Sequence, residues 1–199
     1  MKFCLYQGTF NPIHNAHIEV GKFVYENFDF DKIIFIPAFK PPHKNNGEDN
    51  ITLAKHRLEM VKLAIKPYPY FEFSDIEYKK NTPSYTYLTI LELIKKYNIE
   101  NKISFIIGTD AFLEIESWYK SDELKKLVKF IVFARDNNID NAKLEELKEK
   151  GYEYIIAKMP FLDVSSSEIR QKINQNIDIY DIVPKEAADY IIKNGLYRH

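Results

Sequence analysis

His14 and His17 stand three residues apart, behind a short apolar run from Phe3 to Gly8 and a turn that contains Pro12. If the segment is helical, that spacing puts both side chains on one face. A glycine at the carboxyl end of a strand leaves backbone N–H groups open to a ligand, and the helix that follows adds unpaired amides and a positive dipole end. Pro12 sets the path into that helix and gives up a donor that would be unpaired there. Two imidazoles so placed can donate to phosphoryl oxygens whose charge grows during transfer. The same spacing also suits a helix-capping pair or half of a metal site. No carboxylate stands beside the pair in a ligand pattern, and Cys4 is the chain's one cysteine, so a phosphate site is favoured over metal.

A second anion cradle is written in Ser165-Ser166-Ser167-Glu168-Ile169-Arg170, where serines ahead of a helix cap its amides and an arginine follows one turn in. An ordinary N-cap with a surface arginine would read the same way. Gly108-Thr109-Asp110 repeats the opening logic, an apolar strand closed by glycine, with a carboxylate that can accept from ribose hydroxyls or simply cap a helix. Trp118, the one tryptophan, sits with Tyr119 in a polar setting, where stacking on a flat heteroaromatic ring and semi-buried packing are both open. Lys40 and Lys44 flank Pro41-Pro42-His43, a loop that is either a phosphate contact or a solvated basic surface. Only Arg57, Arg135, Arg170 and Arg198 occur among many lysines, so each arginine hints at a planar, bidentate task. Arg135 follows a strand and is a candidate to meet a nucleotide.

The elements that must carry these groups alternate. Apolar runs at 33–37, 103–108, 129–134 and 152–157 read as buried strands beside the opening one, and 71–78 alternates enough to be another. Between them the spacing predicts helices over 16–28 with Ala16, Val20, Val24 and Phe28 inward, from a Thr52 cap through Ala64, and over 84–97 with Leu88, Leu91, Leu93 and Ile94 inward. Others are predicted over 143–150, from Ser167 to about Asn174, and from Pro184 to Asn194-Gly195. This order predicts a doubly wound, Rossmann-like α/β sheet, parallel, with helices on both faces and right-handed crossovers. Ligands in such sheets bind beyond the carboxyl ends of the strands, where Gly8, Gly108 and the segments after Ile36 and Ile156 would open.

The 199 residues suit one domain, 1–199, with a real core. A formal net charge of −1 argues against any broad electrostatic grip on nucleic acid or membrane, so phosphate must be held by local groups. No apolar run reaches membrane-spanning length and the amino terminus is no secretory signal, which leads us to expect a cytoplasmic protein. Cys4 lies within the first strand and reads as a buried structural thiol.

Gly8-Thr9-Phe10-Asn11-Pro12-Ile13-His14-Asn15-Ala16-His17 resembles the GxFxPxHxGH signature of the HxGH nucleotidylyltransferase superfamily, and within it the bacterial nicotinate-nucleotide adenylyltransferase family. Gln7 and Ala16 stand where that family usually has glycine, and Asn11 where it has aspartate; Gln7 is expected to narrow the space beside the nucleotide. Ser165 to Arg170 resembles the SSTxIR element, Gly108 to Asp110 the IGxD element, Pro83-Ser84-Tyr85-Thr86 the PSYT element, and Pro41 to Lys44 the PPHK loop. Ile115 to Leu124 resembles LxxWYxxxEL, and Leu88 replaces an aspartate.

The resemblance implies adenylyl transfer from ATP to nicotinate mononucleotide, giving deamido-NAD and pyrophosphate. It implies His14, His17 and Arg170 as catalytic groups, and Gly8, Thr9, Phe10, Gly108, Asp110, Ser166 and Ser167 around ATP. Lys44, Tyr85, Thr86, Trp118, Tyr119 and Arg135 would serve the mononucleotide, with the amides of Thr86 and Tyr119 on the pyridine carboxylate. Mg²⁺ would be held mainly by substrate phosphates and water, with no protein metal cage. The partners implied are small molecules, neither nucleic acid nor membrane, and a homo-oligomer stays open. Sister adenylyltransferases acting on phosphopantetheine or nicotinamide mononucleotide share the ATP half without the PSYT and WY elements. A nucleotide-sensing module without turnover is the alternative from another class.

Overall fold

A computed structural model describes residues 1–41, 49–79, 83–133, 140–159 and 163–198. Six parallel strands form its sheet: β1 (Phe3–Gly8), β2 (Lys32–Pro37), β3 (Phe71–Phe73), β4 (Ile103–Gly108), β5 (Val128–Phe133) and β6 (Tyr154–Ala157). They lie in the order β3-β2-β1-β4-β5-β6. Successive residues of each strand point to opposite faces, and both faces are covered.

On one face Cys4, Ile33, Phe35, Ile106 and Ile131 meet helices α1 (Asn15–Asn27), α2 (Asp49–Ile65), α7 (Ser166–Asn174) and α8 (Lys185–Lys193). On the other, Leu5, Ile34, Phe105, Phe130 and Val132 meet α3 (Thr86–Tyr97), α4 (Thr109–Leu113), α5 (Ser121–Leu127) and α6 (Asn141–Glu149). Each fully buried Phe or Ile in these layers contributes about 1.5–3 kcal/mol. The doubly wound sheet read from the sequence is therefore the observed one. Among the described residues no helix is long and apolar enough to cross a membrane.

Four local expectations change. The run 71–78 pairs only through Phe73, and Ile76–Lys79 turns into a 3-10 helix that carries Glu77 inward. Helix α1 buries Ile18, Gly21 and Val24, with Ala16, Val20 and Phe28 only partly covered. A Cβ at Gly21 would lie 2.8 Å from the Phe71 ring, so the missing side chain is what lets α1 approach the sheet. Helix α2 starts at Asp49, which places Thr52 inside its first turn instead of ahead of it. Helix α3 buries Thr89, Ile90 and Leu93 and exposes Leu88 and Leu91.

The chain ends in a compact stop. Gly195 takes a positive φ of 60°, and the N–H groups of Gly195 and Leu196 donate to Ile192 and Ile191. That reversal sends Tyr197 back under the loop after β1, where its hydroxyl donates to Asn11 Oδ1 at 2.6 Å.

Candidate active site

Strand order reverses at β1, between β2 and β4, and a cleft of about 780 Å³ opens there. Tyr6, Gln7, Gly8 and Thr9 form one wall, Phe105 to Gly108 the other. Tyr85 and Thr86 enter from the start of α3, and Trp118 and Tyr119 from the segment between the 3-10 turn Ile115–Ser117 and α5. The sequence therefore named much of this lining.

The two glycines act differently. At Gly8 an added Cβ would sit 2.9 Å from the Phe10 ring, so that position is bare because Phe10 packs over it. Phe10 is 2% exposed, its ring among Tyr6, Phe35 and His17, which leaves only its backbone to meet a nucleotide. At Gly108 no heavy atom lies within 4 Å of an added Cβ, and the space it would take belongs to the cleft. Asp110 is exposed in the first turn of α4, beside the buried Thr109, and lies outside the cleft lining itself.

The histidines flank the start of α1. His14 is its N-cap residue and His17 its third, and their rings stack at a centroid distance of 3.7 Å. The His14 N–H donates to His17 Nδ1 at 3.2 Å. That bond makes Nδ1 the acceptor, so the neutral ring carries its proton on Nε2. Capping and phosphate donation are thus compatible uses of one side chain. Pro12 precedes the helix by three residues, after a cis Asn11–Pro12 bond, and so does not occupy its first turn.

The serine cluster divides its work. Ser165 Oγ accepts from the Glu168 N–H at 3.1 Å and caps α7. Ser166 Oγ donates to the Pro12 carbonyl at 2.9 Å, and Arg170 Nη1 donates to the Asn11 carbonyl at 2.7 Å. Arg170 Nη2 also donates to Ser167 Oγ at 3.1 Å. The amino end of α7 and the loop before His14 are therefore in direct contact. Asn15 fixes the same loop from its other side, its backbone N–H donating to Ile182 O at 2.9 Å.

The aromatic wall is braced rather than loose. Trp118 is half-buried and meets Phe105 edge-on at 6.5 Å, so it both packs and lines the cleft. Tyr119 lies against Tyr85 at 4.6 Å, and Lys120 Nζ stands over Tyr87 and Tyr119. Ser121 Oγ donates to the Ile115 carbonyl at 2.7 Å. Glu116 accepts from Lys143 and Lys150 of the α6 region at 2.7 Å each, and these ammonium groups hold its carboxyl at about 2. Thr86 opens α3; the Leu88 and Thr89 N–H groups donate to the Tyr85 carbonyl, and an amide as early as that of Thr86 has no acceptor within the helix.

Sequence reasoning missed Glu77 and Glu114 but did single out Gln7. Gln7 does line the cleft, and its Nε2 donates to the buried Glu77. Burial pushes the Glu77 carboxyl up, against the hydrogen bonds it receives from Ser84, Thr89, Phe39 and Gln7. Glu114 lines the cleft from the end of α4. Lys44, Arg135 and His43 lie outside the described residues.

A cleft at the reversal of a 3-2-1-4-5-6 parallel sheet is the nucleotide-binding arrangement of Rossmann-like folds, and the family model described as cytidylyltransferase-like, which matches residues 5–172, sets the chain among nucleotidyltransferases. A probable nicotinate-nucleotide adenylyltransferase of Clostridium tetani is 41% identical over 202 residues, covering 99% of both chains. Another, from Caldicellulosiruptor saccharolyticus, is 38% identical over 202 residues and covers all of both. The chain belongs to the nicotinate-nucleotide adenylyltransferase family. Among solved structures, nicotinic acid mononucleotide adenylyltransferase of Plasmodium falciparum complexed with NaAD superposes with a TM-score of 0.76 at 26% identity, over 98% of this chain and 97% of that one. The same enzyme complexed with APC gives 0.74 at 26% identity, over 98% and 96%.

Proposed function

We propose that this protein transfers the adenylyl group of ATP to nicotinate mononucleotide, giving deamido-NAD and pyrophosphate. The observation that carries the reading is the contact of Ser166 and Arg170 with the carbonyls of Pro12 and Asn11. It holds the serine cap and the arginine against the loop that runs from Thr9, in the cleft lining, to the histidines, which are not themselves in that lining. One triphosphate can then be gripped from both sides.

The mononucleotide phosphate attacks the α-phosphorus of ATP in line; the new O–P bond forms as the bond to the β-phosphate oxygen breaks. The attacking group is ionised at neutral pH, so no general base is required. The work left to the protein is positioning and charge stabilisation. His14 and His17 donate to the α- and β-phosphates. Arg170 and the amides at Ser166 and Ser167 hold the leaving pyrophosphate, Arg170 with two bonds already spent on Asn11 and Ser167 and further donors in its guanidinium fork. Gly8, Thr9 and the Phe10 backbone border the phosphates, and Gly108 and Asp110 the ribose. Trp118 stacks on the pyridine ring, with the Tyr85–Tyr119 pair beside it. The amides of Thr86 and Tyr119 face its carboxylate, a donor pair that suits an acid and meets only donors in a carboxamide NH₂. Lys44 and Arg135 remain assigned to the mononucleotide phosphate on resemblance alone.

Among the described residues no group of three His, Cys, Asp or Glu side chains stands together as a metal cage, and the rim's own groups are imidazoles and a guanidinium. Such a rim fits a Mg²⁺ that arrives with the nucleotide, ligated by phosphate oxygens and water, where it would neutralise charge on the triphosphate. The cytoplasmic location expected from the sequence goes with this reading. The test is pyrophosphate release with ATP and, in turn, nicotinate mononucleotide, nicotinamide mononucleotide and phosphopantetheine. Release with the first, well above the others, is expected. Equal or greater release with another acceptor, or none at all, would refute the reading.

A further inference from the structure

The loops that leave β1 and β2 close on a buried cation for which the reaction above has no use. Arg57, from α2, is 3% exposed. Its Nη1 donates to the carbonyls of Thr9 at 2.7 Å and Ala38 at 2.6 Å, and its Nη2 to that of Phe39 at 3.2 Å. Opposite it stands Glu77, 7% exposed, whose Oε2 accepts from the Phe39 N–H at 3.1 Å and whose Oε1 accepts from Thr89 Oγ1 at 2.8 Å. Ser84 Oγ accepts from the Lys40 N–H at 2.9 Å.

These partners take hold of whole peptide planes. In a trans peptide the C=O and the following N–H point in opposite directions. The Ala38–Phe39 plane is thus held by Arg57 at its oxygen and by Glu77 at its N–H, and the Phe39–Lys40 plane by Arg57 at one end and Ser84 at the other. The Thr9–Phe10 plane gives its oxygen to the same guanidinium, which turns the Phe10 N–H the other way. A planar fork serves these three carbonyls from two separate nitrogens in a fixed plane, whereas an ammonium offers its three donors from a single atom on a flexible stem. Leaving those carbonyls unpaired would cost each its desolvation, so the site demands a donor of this shape.

We propose that Arg57 and Glu77 are positioning residues that clamp the peptide planes at the exits of β1 and β2 and so aim the Phe10 N–H at the triphosphate. The proposal rests on the adenylyl-transfer reading for what occupies the rim. Its geometry is independent of it. The clamp also leaves a permanent positive charge beneath an anion site, because a guanidinium stays protonated even where burial lowers its pKa.

The test is Arg57→Lys, which keeps the charge and loses the fork, with Glu77→Gln as a second variant that loosens the opposite end. Initial rates by pyrophosphate release are combined with calorimetric titration of ATP alone and a melting curve. For Arg57→Lys, kcat should fall between about tenfold and a hundredfold and ATP affinity about tenfold, with the mononucleotide KM within about twofold. Glu77→Gln should weaken ATP in the same direction; its mononucleotide KM is not a readout, since Glu77 also holds Gln7 in the cleft wall. A lower melting point with unchanged kcat and ATP affinity, or equal rises in both KM values for Arg57→Lys, would overturn the clamp. If Arg57→Lys fails to fold, unchanged ATP affinity in Glu77→Gln overturns it, and weakened affinity supports it. If the wild type releases no pyrophosphate with any acceptor, the reaction reading fails by itself, and the ATP titrations still decide the clamp.

Discussion

Replacing Gly8 and Gly108 by alanine, one at a time, should separate what holds the fold from what holds the ligand. At Gly8 the new Cβ would meet Phe10 Cζ at 2.9 Å and its two Cε atoms at 3.1 and 3.2 Å. Carbon pairs sit best at about 3.5–4.0 Å, so the ring must retreat by roughly half an ångström or more. It cannot do so freely, being 2% exposed and in ring contact with Tyr6, Phe35 and His17 at 5.5, 5.8 and 5.0 Å. Overpacking of this kind costs about 1–3 kcal/mol. At about 2–4 °C per kcal/mol for a chain of this size, Tm should drop by between about 2 and 12 °C. At Gly108 the backbone, φ −75° and ψ 152°, suits any residue, and the methyl meets nothing. The chain-entropy gain of replacing glycine and the poorer N-cap offset each other, so Tm should stay within about 2 °C. Its methyl nevertheless occupies the cleft, so KM for a substrate nucleotide should rise. Scanning calorimetry and initial rates read both. A Gly8→Ala protein that melts with the wild type, or a Gly108→Ala protein that binds both substrates unchanged, would refute this division.

His17→Ala should lower kcat by about 2–4 kcal/mol of transition-state stabilisation, far more than it weakens binding. Near-normal turnover at a temperature where the variant is folded would remove the imidazole from the mechanism. Trp118→Ala should raise KM for the mononucleotide and leave that for ATP nearly unchanged, and equal changes in steady-state kinetics would contradict the stacking. Glu116 is depressed from an ordinary 4.5 to about 2 by Lys143 and Lys150, so its contribution to stability is complete above pH 4.5 and lost as pH falls through 2. The stability difference between wild type and Glu116→Gln should therefore close between those pH values in acid titrations, and shrink in high salt because Glu116 and Lys150 are exposed and Lys143 is only half-buried.

Why some of this molecule was legible in its sequence and some was not follows from the range of the interactions. Parallel strands buried on both faces read as apolar runs, and they were found; the histidine and serine segments are written in a few consecutive residues each, and the structure brings the two into contact. The clamp is written nowhere locally. Arg57 reaches Thr9 across 48 residues, Glu77 reaches Phe39 across 38, and Tyr197 reaches Asn11 across 186. Once Glu77 is drawn inward by those bonds, strand β3 must stop at Phe73, so the alternation of Phe71 to Tyr78 misled for a tertiary reason. The same carboxylate accepts from Thr89, which puts a threonine on the inner side of α3 and turns Leu88 and Leu91 outward, so that the buried face shifts to Thr89, Ile90 and Leu93 and keeps only part of the one expected. The one advance signal was compositional. Arg57 was one of only four arginines in a lysine-rich chain, and three carbonyls at the exits of two strands are the task its planar fork performs.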